Sequence, residues 1–305
     1  MNLNRVADYV TEVQKAAGDI HLNPGKYVPN IGIISKGDKD YTTAVDIAVE
    51  KFQRARLKKA FPDIGFLGEE TDNEGEQRFR WIVDPTDGTA VYATGGEYYS
   101  NSIALADREA GRVLFGSVWQ PSKRRQFLRV NGEVLVREEI LGREGKKLQI
   151  ERVPVPSQSR GLPELMGCSY GTSKYHNRVP GIKEALAGVF DDVEFPELGR
   201  NYHLIDSRPA SGSSALFLGD IADGNRHFAL LYFQKAWDLA VGALFARDAG
   251  CAVQCGDAID KITCGDLETQ IARCSKEDLI NVAIFANPNV KDIVMERFQL
   301  ARAQQ

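Results

Sequence analysis

The chain has 305 residues, 43% of them hydrophobic and 26% charged, with a formal net charge of −4. Length and composition suit one large or two ordinary folded domains and exclude global disorder. The mild acidity excludes a nucleic-acid groove or an anionic membrane surface as the main binding face, and no apolar run approaches a membrane-spanning length.

Leu3, Val6, Val10, Val13 and Ala17 recur at helical spacing, which predicts an amphipathic helix ended by Gly18 rather than a secretion signal. The expected compartment is the cytoplasm. Val45, Ala48, Phe52 and Ala55 repeat the helical pattern, with Thr42 or Thr43 as cap and Pro62 just beyond. Strands are predicted over Ile64–Leu67, Trp81–Val83, Ser102–Ala106 and Val113–Trp119, then over short runs in Gln126–Val136 around an Asn131-Gly132 turn. Val153-Pro154-Val155-Pro156-Ser157 reads as a linker. Beyond it, Ser213–Leu218, Ala236–Ala249 and Pro288–Ala303 read as helices, and His227–Phe233 and Val282–Phe285 as strands. The expected domains are 1–155, helices followed by an antiparallel sheet, and 156–305, with strand and helix alternating. The five cysteines contain no C-x-x-C pair, so reduced thiols packed as small apolar groups are expected.

Acidic residues gather where predicted strands end. Asp84 and Asp87 follow Trp81–Val83, and Glu69 and Glu70 follow Ile64–Leu67. Carboxylates at a sheet rim can converge without entering the core, and magnesium prefers such hard oxygen donors. Gly88-Thr89 could open a helix whose backbone N–H groups face a phosphate. Each feature also has a plain reading: a solvated Glu-Glu turn, an Asp-Pro-x-Asp-Gly turn, a Thr cap.

The segment Trp81-Ile82-Val83-Asp84-Pro85-Thr86-Asp87-Gly88-Thr89 resembles the W-[IV]-[IV]-D-P-[IL]-D-G-T signature of the inositol monophosphatase family, within the lithium-sensitive, magnesium-dependent phosphatases. Trp237-Asp238 with Gly242 resembles its second signature. Asp40–Asp46, Gly68-Glu69-Glu70 and Gly212–Ala215 resemble three more family patches, in family order. The resemblance implies a layered αβαβα sandwich, its N-terminal part α+β with an antiparallel sheet and its C-terminal part α/β. It implies two or three Mg2+ ions held by Glu69, Asp84, the Thr86 carbonyl, Asp87 and Asp238. Asp46 and Thr89, with Glu69, would position the attacking water. Asp87, Gly88 and Thr89 would hold the phosphate, and Gly212, Ser213 and Ser214 the alcohol portion. Lys36 and Asp38 match a mobile loop.

The implied activity is hydrolysis of a small phosphorylated metabolite, a polyol, sugar or nucleotide phosphate, by an enzyme whose relatives are often homodimers. Where inositol-specific members carry a ring-binding Glu, this chain has Leu231, which weighs against inositol phosphate; Tyr232, Gln234 and Lys235 lie nearby. Lys235 also occurs in nucleotide-directed relatives, so 3′(2′),5′-bisphosphate nucleotidase-type and histidinol-phosphate phosphatase-type specificities are alternatives. Thr86 and Val241 replace the usual Ile or Leu and Ala. A catalytically silent phosphometabolite-binding protein is the alternative of another class.

Overall fold

The computed structural model describes residues 1–29, 32–37, 40–71, 75–141, 147–157, 164–171, 181–190, 203–206, 212–255 and 267–303. Helix α1 (Leu3–Leu22) starts at Asn2, whose side chain caps the N–H groups of Asn4 and Arg5. It passes through Gly18, the predicted stop. Gly18 is buried inside the helix, where a Cβ would lie 2.8 Å from Nε1 of Trp119. The glycine serves close packing there, and the helix gains a further turn that carries His21.

After α2 (Pro24–Tyr27), β1 (Ile33–Gly37) and β2 (Asp40–Thr43) form a two-stranded antiparallel ribbon leading into α3 (Ala44–Ala60). Thr43 caps α3 in a capping box with Asp46. The inward face of α3 differs from the predicted stripe. Val45, Val49 and Leu57 are buried together with Asp46, Glu50 and Gln53, while Ala48 and Phe52 are only partly buried and Ala55 is exposed. A helix that leans on a polar site buries carboxylates and amides as well as alkyl groups.

A seven-stranded sheet follows in the order β3 (Gly65–Gly68), β4 (Phe79–Asp87), β5 (Ser100–Asp107), β6 (Arg112–Gln120), β7 (Arg125–Val130), β8 (Glu133–Leu141) and β9 (Lys147–Arg152). It is antiparallel except at its edge, where β3 and β4 run parallel. The short α4 (Thr89–Ala93) follows β4. Asn131 and Gly132 have φ of 51° and 85° and form the β7–β8 hairpin turn.

The five-stranded sheet has the order β11 (His203–Asp206), β10 (Glu164–Gly171), β12 (Phe228–Gln234), β14 (Ile280–Phe285), β13 (Ala252–Cys255). The pairs around β10 are parallel and those around β14 antiparallel. The remaining helices are α5 (Ile182–Gly188), α6 (Ser214–Ala222), α7 (Ala236–Leu239), α8 (Gly242–Asp248), α9 (Leu267–Arg273) and α10 (Pro288–Ala303). The single helix predicted over Ala236–Ala249 is two, broken at Ala240-Val241. Gly242 packs so closely on α6 that a Cβ would lie 2.9 Å from the Ala215 carbonyl. The break lets α7 face the site while α8 packs on α6.

Side-chain alternation sorts these elements into layers. Trp81 and Val83 of β4 join the core under α1 and α3, whereas Ile82 between them joins the core with α6 and α8. In β12, Ala229 and Leu231 face that central helical layer, and Phe228, Leu230 and Tyr232 face α5 and α10. The order is therefore α–β–α–β–α. The four described cysteines are buried and none is in a disulfide; burial pushes the thiol pKa values of Cys251 and Cys274 up to about 12 and about 11. Among the described residues, no helix is long and apolar enough to cross a membrane.

Candidate metal centre

Strand β4 ends in a bulge between Asp84 and Asp87, where its register against β5 shifts. The extra backbone turns both carboxylates toward one point. Asp84 Oδ1 accepts the Thr86 N–H at 2.9 Å, which fixes the turn. Gly88 follows with φ of 93°, a left-handed conformation costly for any residue with a Cβ. A Cβ there would also lie 2.9 Å from the Gly212 carbonyl carbon, so this position needs glycine twice over.

Asp238, on α7, comes to the same place from the far half of the chain. Carboxylate oxygens of Asp84, Asp87 and Asp238 lie within 4.8 Å of one another. Burial pushes the Asp84 pKa well above the usual carboxylate range, and the charges of Glu69, Asp87, Asp238 and Glu70 push it further. Burial raises Asp87 to about 6, against hydrogen bonds that favour its ionised form. The donors are Ser213 Oγ at 2.6 Å, Ser214 N at 3.1 Å and Ala215 N at 2.7 Å, the start of α6. Ser213 also caps α6 through Leu216 N at 3.0 Å. The predicted substrate-binding residues Ser213 and Ser214 thus hold Asp87.

Thr86 is the hub of the centre. Its carbonyl accepts the Thr89 hydroxyl at 2.9 Å, and its own hydroxyl lies 3.0 Å from Nε2 of His21. His21 is buried and its pKa is lowered to about 4 by desolvation, so the imidazole is neutral; its Nδ1 lies 3.2 Å from the Ala17 carbonyl. Asp46 is also buried. Burial raises its pKa, and the Thr86 hydroxyl and Thr43 hold it back. Its Oδ2 accepts the Thr43 N–H and the Thr42 hydroxyl, but its Oδ1 makes no hydrogen bond of normal geometry. The single Thr86 proton can serve His21 or Asp46, not both.

These residues fit a hard divalent cation. Every donor is oxygen, two of the three carboxylates are buried, and like charges crowd together as they do where a cation compensates them. Asp46, buried beside Thr86, adds a further carboxylate to this region. Lys36 lies on β1 with its side chain outside the described residues, and Asp38 lies outside them altogether. Leu231 and Tyr232 pack into the two cores, Tyr232 stacking on Phe298, and Gln234 donates to the Tyr232 carbonyl at 2.8 Å; of the residues expected near the leaving group, Lys235 stays at the centre. Val241, larger than the usual Ala, lies over Gly116, where a Cβ would come within 3.1 Å of it.

Three contributors escape sequence reading. His21 belongs to a helical turn that Gly18 was expected to prevent. Glu50 is fully buried, accepts the Glu70 N–H at 2.8 Å and the Thr71 hydroxyl, and seats the turn bearing Glu69. Its spacing of four from Asp46 is the one local signal for it. Lys276 donates to the carbonyls of Glu69 at 2.8 Å and Thr71 at 3.1 Å, with no motif to announce it.

Residues 2–273 match the family model described as the inositol monophosphatase family. The chain is 30% identical over 255 residues to inositol monophosphatase 2 of Solanum lycopersicum, covering 81% of this chain and 86% of that protein. It is 28% identical over 247 residues to the Nus factor SuhB of Xylella fastidiosa, covering 79% and 78%. The crystal structure of the extragenic suppressor protein suhB from Bartonella henselae superposes with a TM-score of 0.70 at 23% identity, over 97% of this chain and 98% of that one.

Proposed function

The chain belongs to the inositol monophosphatase family and is a phosphoric monoester hydrolase, and from that premise we propose that it hydrolyses a small polyol, sugar or nucleotide phosphate at the centre formed by Asp84, Asp87 and Asp238. The observation that carries this reading is the convergence of those three carboxylates from two distant parts of the chain. Glu69, Asp84, Asp87, Asp238 and the Thr86 carbonyl hold two or three Mg2+ ions. Bound there, magnesium supplies positive charge against the phosphate oxygens and acidifies the attacking water.

The remaining work falls to this chain's own groups. Asp46 accepts a hydrogen of the attacking water and aligns it, with Thr89 as the second orienting group. Backbone N–H groups at Gly88 and Thr89 hold the phosphate. The start of α6, Ser213 to Ala215, aims Asp87 by its hydrogen bonds and favours its ionised form. Lys235, beside Asp238, contacts the leaving alcohol, and the apolar Leu231 disfavours an inositol ring. The reading also takes 1–155 and 156–305 as two domains with the site between them, in a cytoplasmic protein.

The test is release of inorganic phosphate, with magnesium and with or without lithium, from inositol 1-phosphate, histidinol phosphate, fructose 1,6-bisphosphate and 3′-phosphoadenosine 5′-phosphate. Magnesium-dependent turnover of at least one is expected, inhibited by lithium. Calorimetric binding of a phosphoester without hydrolysis would favour a silent binding protein instead, and neither binding nor turnover of any would end this reading.

A further inference from the structure

A chain of hydrogen bonds crosses between the two halves of the molecule and ends on a candidate metal ligand at each side. The Lys235 N–H donates to Asp238 Oδ2 at 2.9 Å. The Lys235 ammonium reaches the Lys276 carbonyl at 2.6 Å. The Lys276 ammonium donates in turn to the carbonyls of Glu69 and Thr71, at 2.8 and 3.1 Å, across 207 and 205 positions of sequence. We propose that Lys276 is a positioning residue of the metal centre: it straps the turn that bears Glu69 to the segment that bears Asp238, and so sets the spacing of ligands from the two halves.

The strap is built on a rigid base. Residues 275–278 form a turn of their own, in which Ser275 N donates to Asp278 Oδ2 at 2.7 Å. Just before it, buried Arg80 of β4 donates to the Cys274 carbonyl at 2.6 Å, which ties the turn to the seven-stranded sheet. The Glu69 turn is also held by Glu50, through the Glu70 N–H. Glu50 and Lys276 therefore bond the same turn, one through its donors and the other through its acceptors.

The choice of acceptor decides what the lysine can do. Lys276 bonds the backbone carbonyls of Glu69 and Thr71, so what it orders is the backbone of the turn. Groups that orient metal ligands from behind contribute strongly to affinity, and their loss weakens binding by about ten- to a hundredfold.

This proposal rests on the metal reading above, and the experiment separates the two. Manganese and magnesium binding to the full metal-free chain is measured by calorimetry, and amide exchange at residues 69–71 by mass spectrometry. Four proteins are compared: native, Lys276→Met, Lys276→Arg and Arg273→Gln. Arg273 is the matched control, since it donates two bonds of 3.0 Å, to the Arg108 and Glu109 carbonyls, from the same segment. Lys276→Met is expected to bind either cation about tenfold more weakly and to exchange faster at 69–71, with native-like thermal unfolding. Lys276→Arg and Arg273→Gln should stay close to native in both readouts. Native affinity and exchange in Lys276→Met would overturn the proposal, as would equal weakening in Arg273→Gln, which would trace the effect to general loss of packing. A native chain that binds neither cation is a separate outcome, read before any variant is compared; it removes the metal reading and this role with it.

Discussion

The carboxylate of Asp87 accepts the Ser213 hydroxyl at 2.6 Å, across 126 positions of sequence. Ser213 meanwhile accepts the Leu216 N–H and lies 2.9 Å from the Ser100 hydroxyl, so one side chain joins a candidate metal ligand, a helix start and the neighbouring strand. The N-terminus of α6 carries partial positive charge and is aimed at an ionised acid. These donors oppose the effect of burial on Asp87, whose pKa is raised to about 6.

Ser213→Ala should therefore cost more than an ordinary cap. Losing the cap and a bond to a buried carboxylate predicts a loss of about 2–3 kcal/mol in urea unfolding of the metal-free chain. Ser213→Thr should recover most of it. A loss below about 0.5 kcal/mol would mean that Asp87 does not depend on this hydroxyl.

Asp84→Asn removes charge and keeps volume. Asp84 is 1% exposed and raised by burial and by four neighbouring carboxylates. The variant should fold, melt at least as high as the native chain without metal, and release phosphate with magnesium at a rate lower by roughly a hundredfold or more. Near-native turnover would remove Asp84 from the ligand set.

Magnesium should stabilise the chain far more at pH 7.5 than at pH 5. The folded pKa of Asp87 is about 6, above its usual 3.8. Between those values the folded chain holds a proton that the unfolded chain has released. Stability from this group is present in acid and lost as pH rises through 6, to a cost of about 3 kcal/mol at neutral pH without metal. A cation offsets that cost only where the carboxylate is ionised. Equal shifts in melting temperature at the two pH values would place the bound cation elsewhere.

His21 gives a dependence of opposite sign. Its folded pKa of about 4 lies below the usual 6.5, so the unfolded chain binds the extra proton first. Stability from the neutral imidazole is full above pH 6.5 and declines as pH falls toward 4. The stability difference between native and His21→Gln should shrink by about 2 kcal/mol from pH 7.5 to pH 5. A constant difference would mean that His21 is not held neutral in the fold.

Much of the architecture was legible in sequence, for reasons that differ by element. The continuous apolar run Trp81–Val83 announces β4 because a strand buried on both faces needs apolar groups on each. Asn131-Gly132 announces a hairpin because both residues tolerate positive φ. Gly18 misleads because a glycine that ends a helix and one that lets a tryptophan approach it look alike in sequence. The stripe predicted for α3 misleads because it counts apolar residues, whereas this helix faces a polar centre.

The sequence by itself determined the chemistry on offer: oxygen donors at a strand end, a glycine that turns the backbone after them, and a second acidic motif far downstream. Such features depend on bonds and sterics within a few residues, so their spacing carries them. Only the tertiary structure decided that Asp238 joins Asp84 and Asp87, that α6 points at Asp87, that His21 stands behind Thr86, and that Lys276 holds the Glu69 turn. Those pairings come from packing two sheets about a shared helical layer, where each buried polar group must find a partner from whatever distant segment the packing brings near.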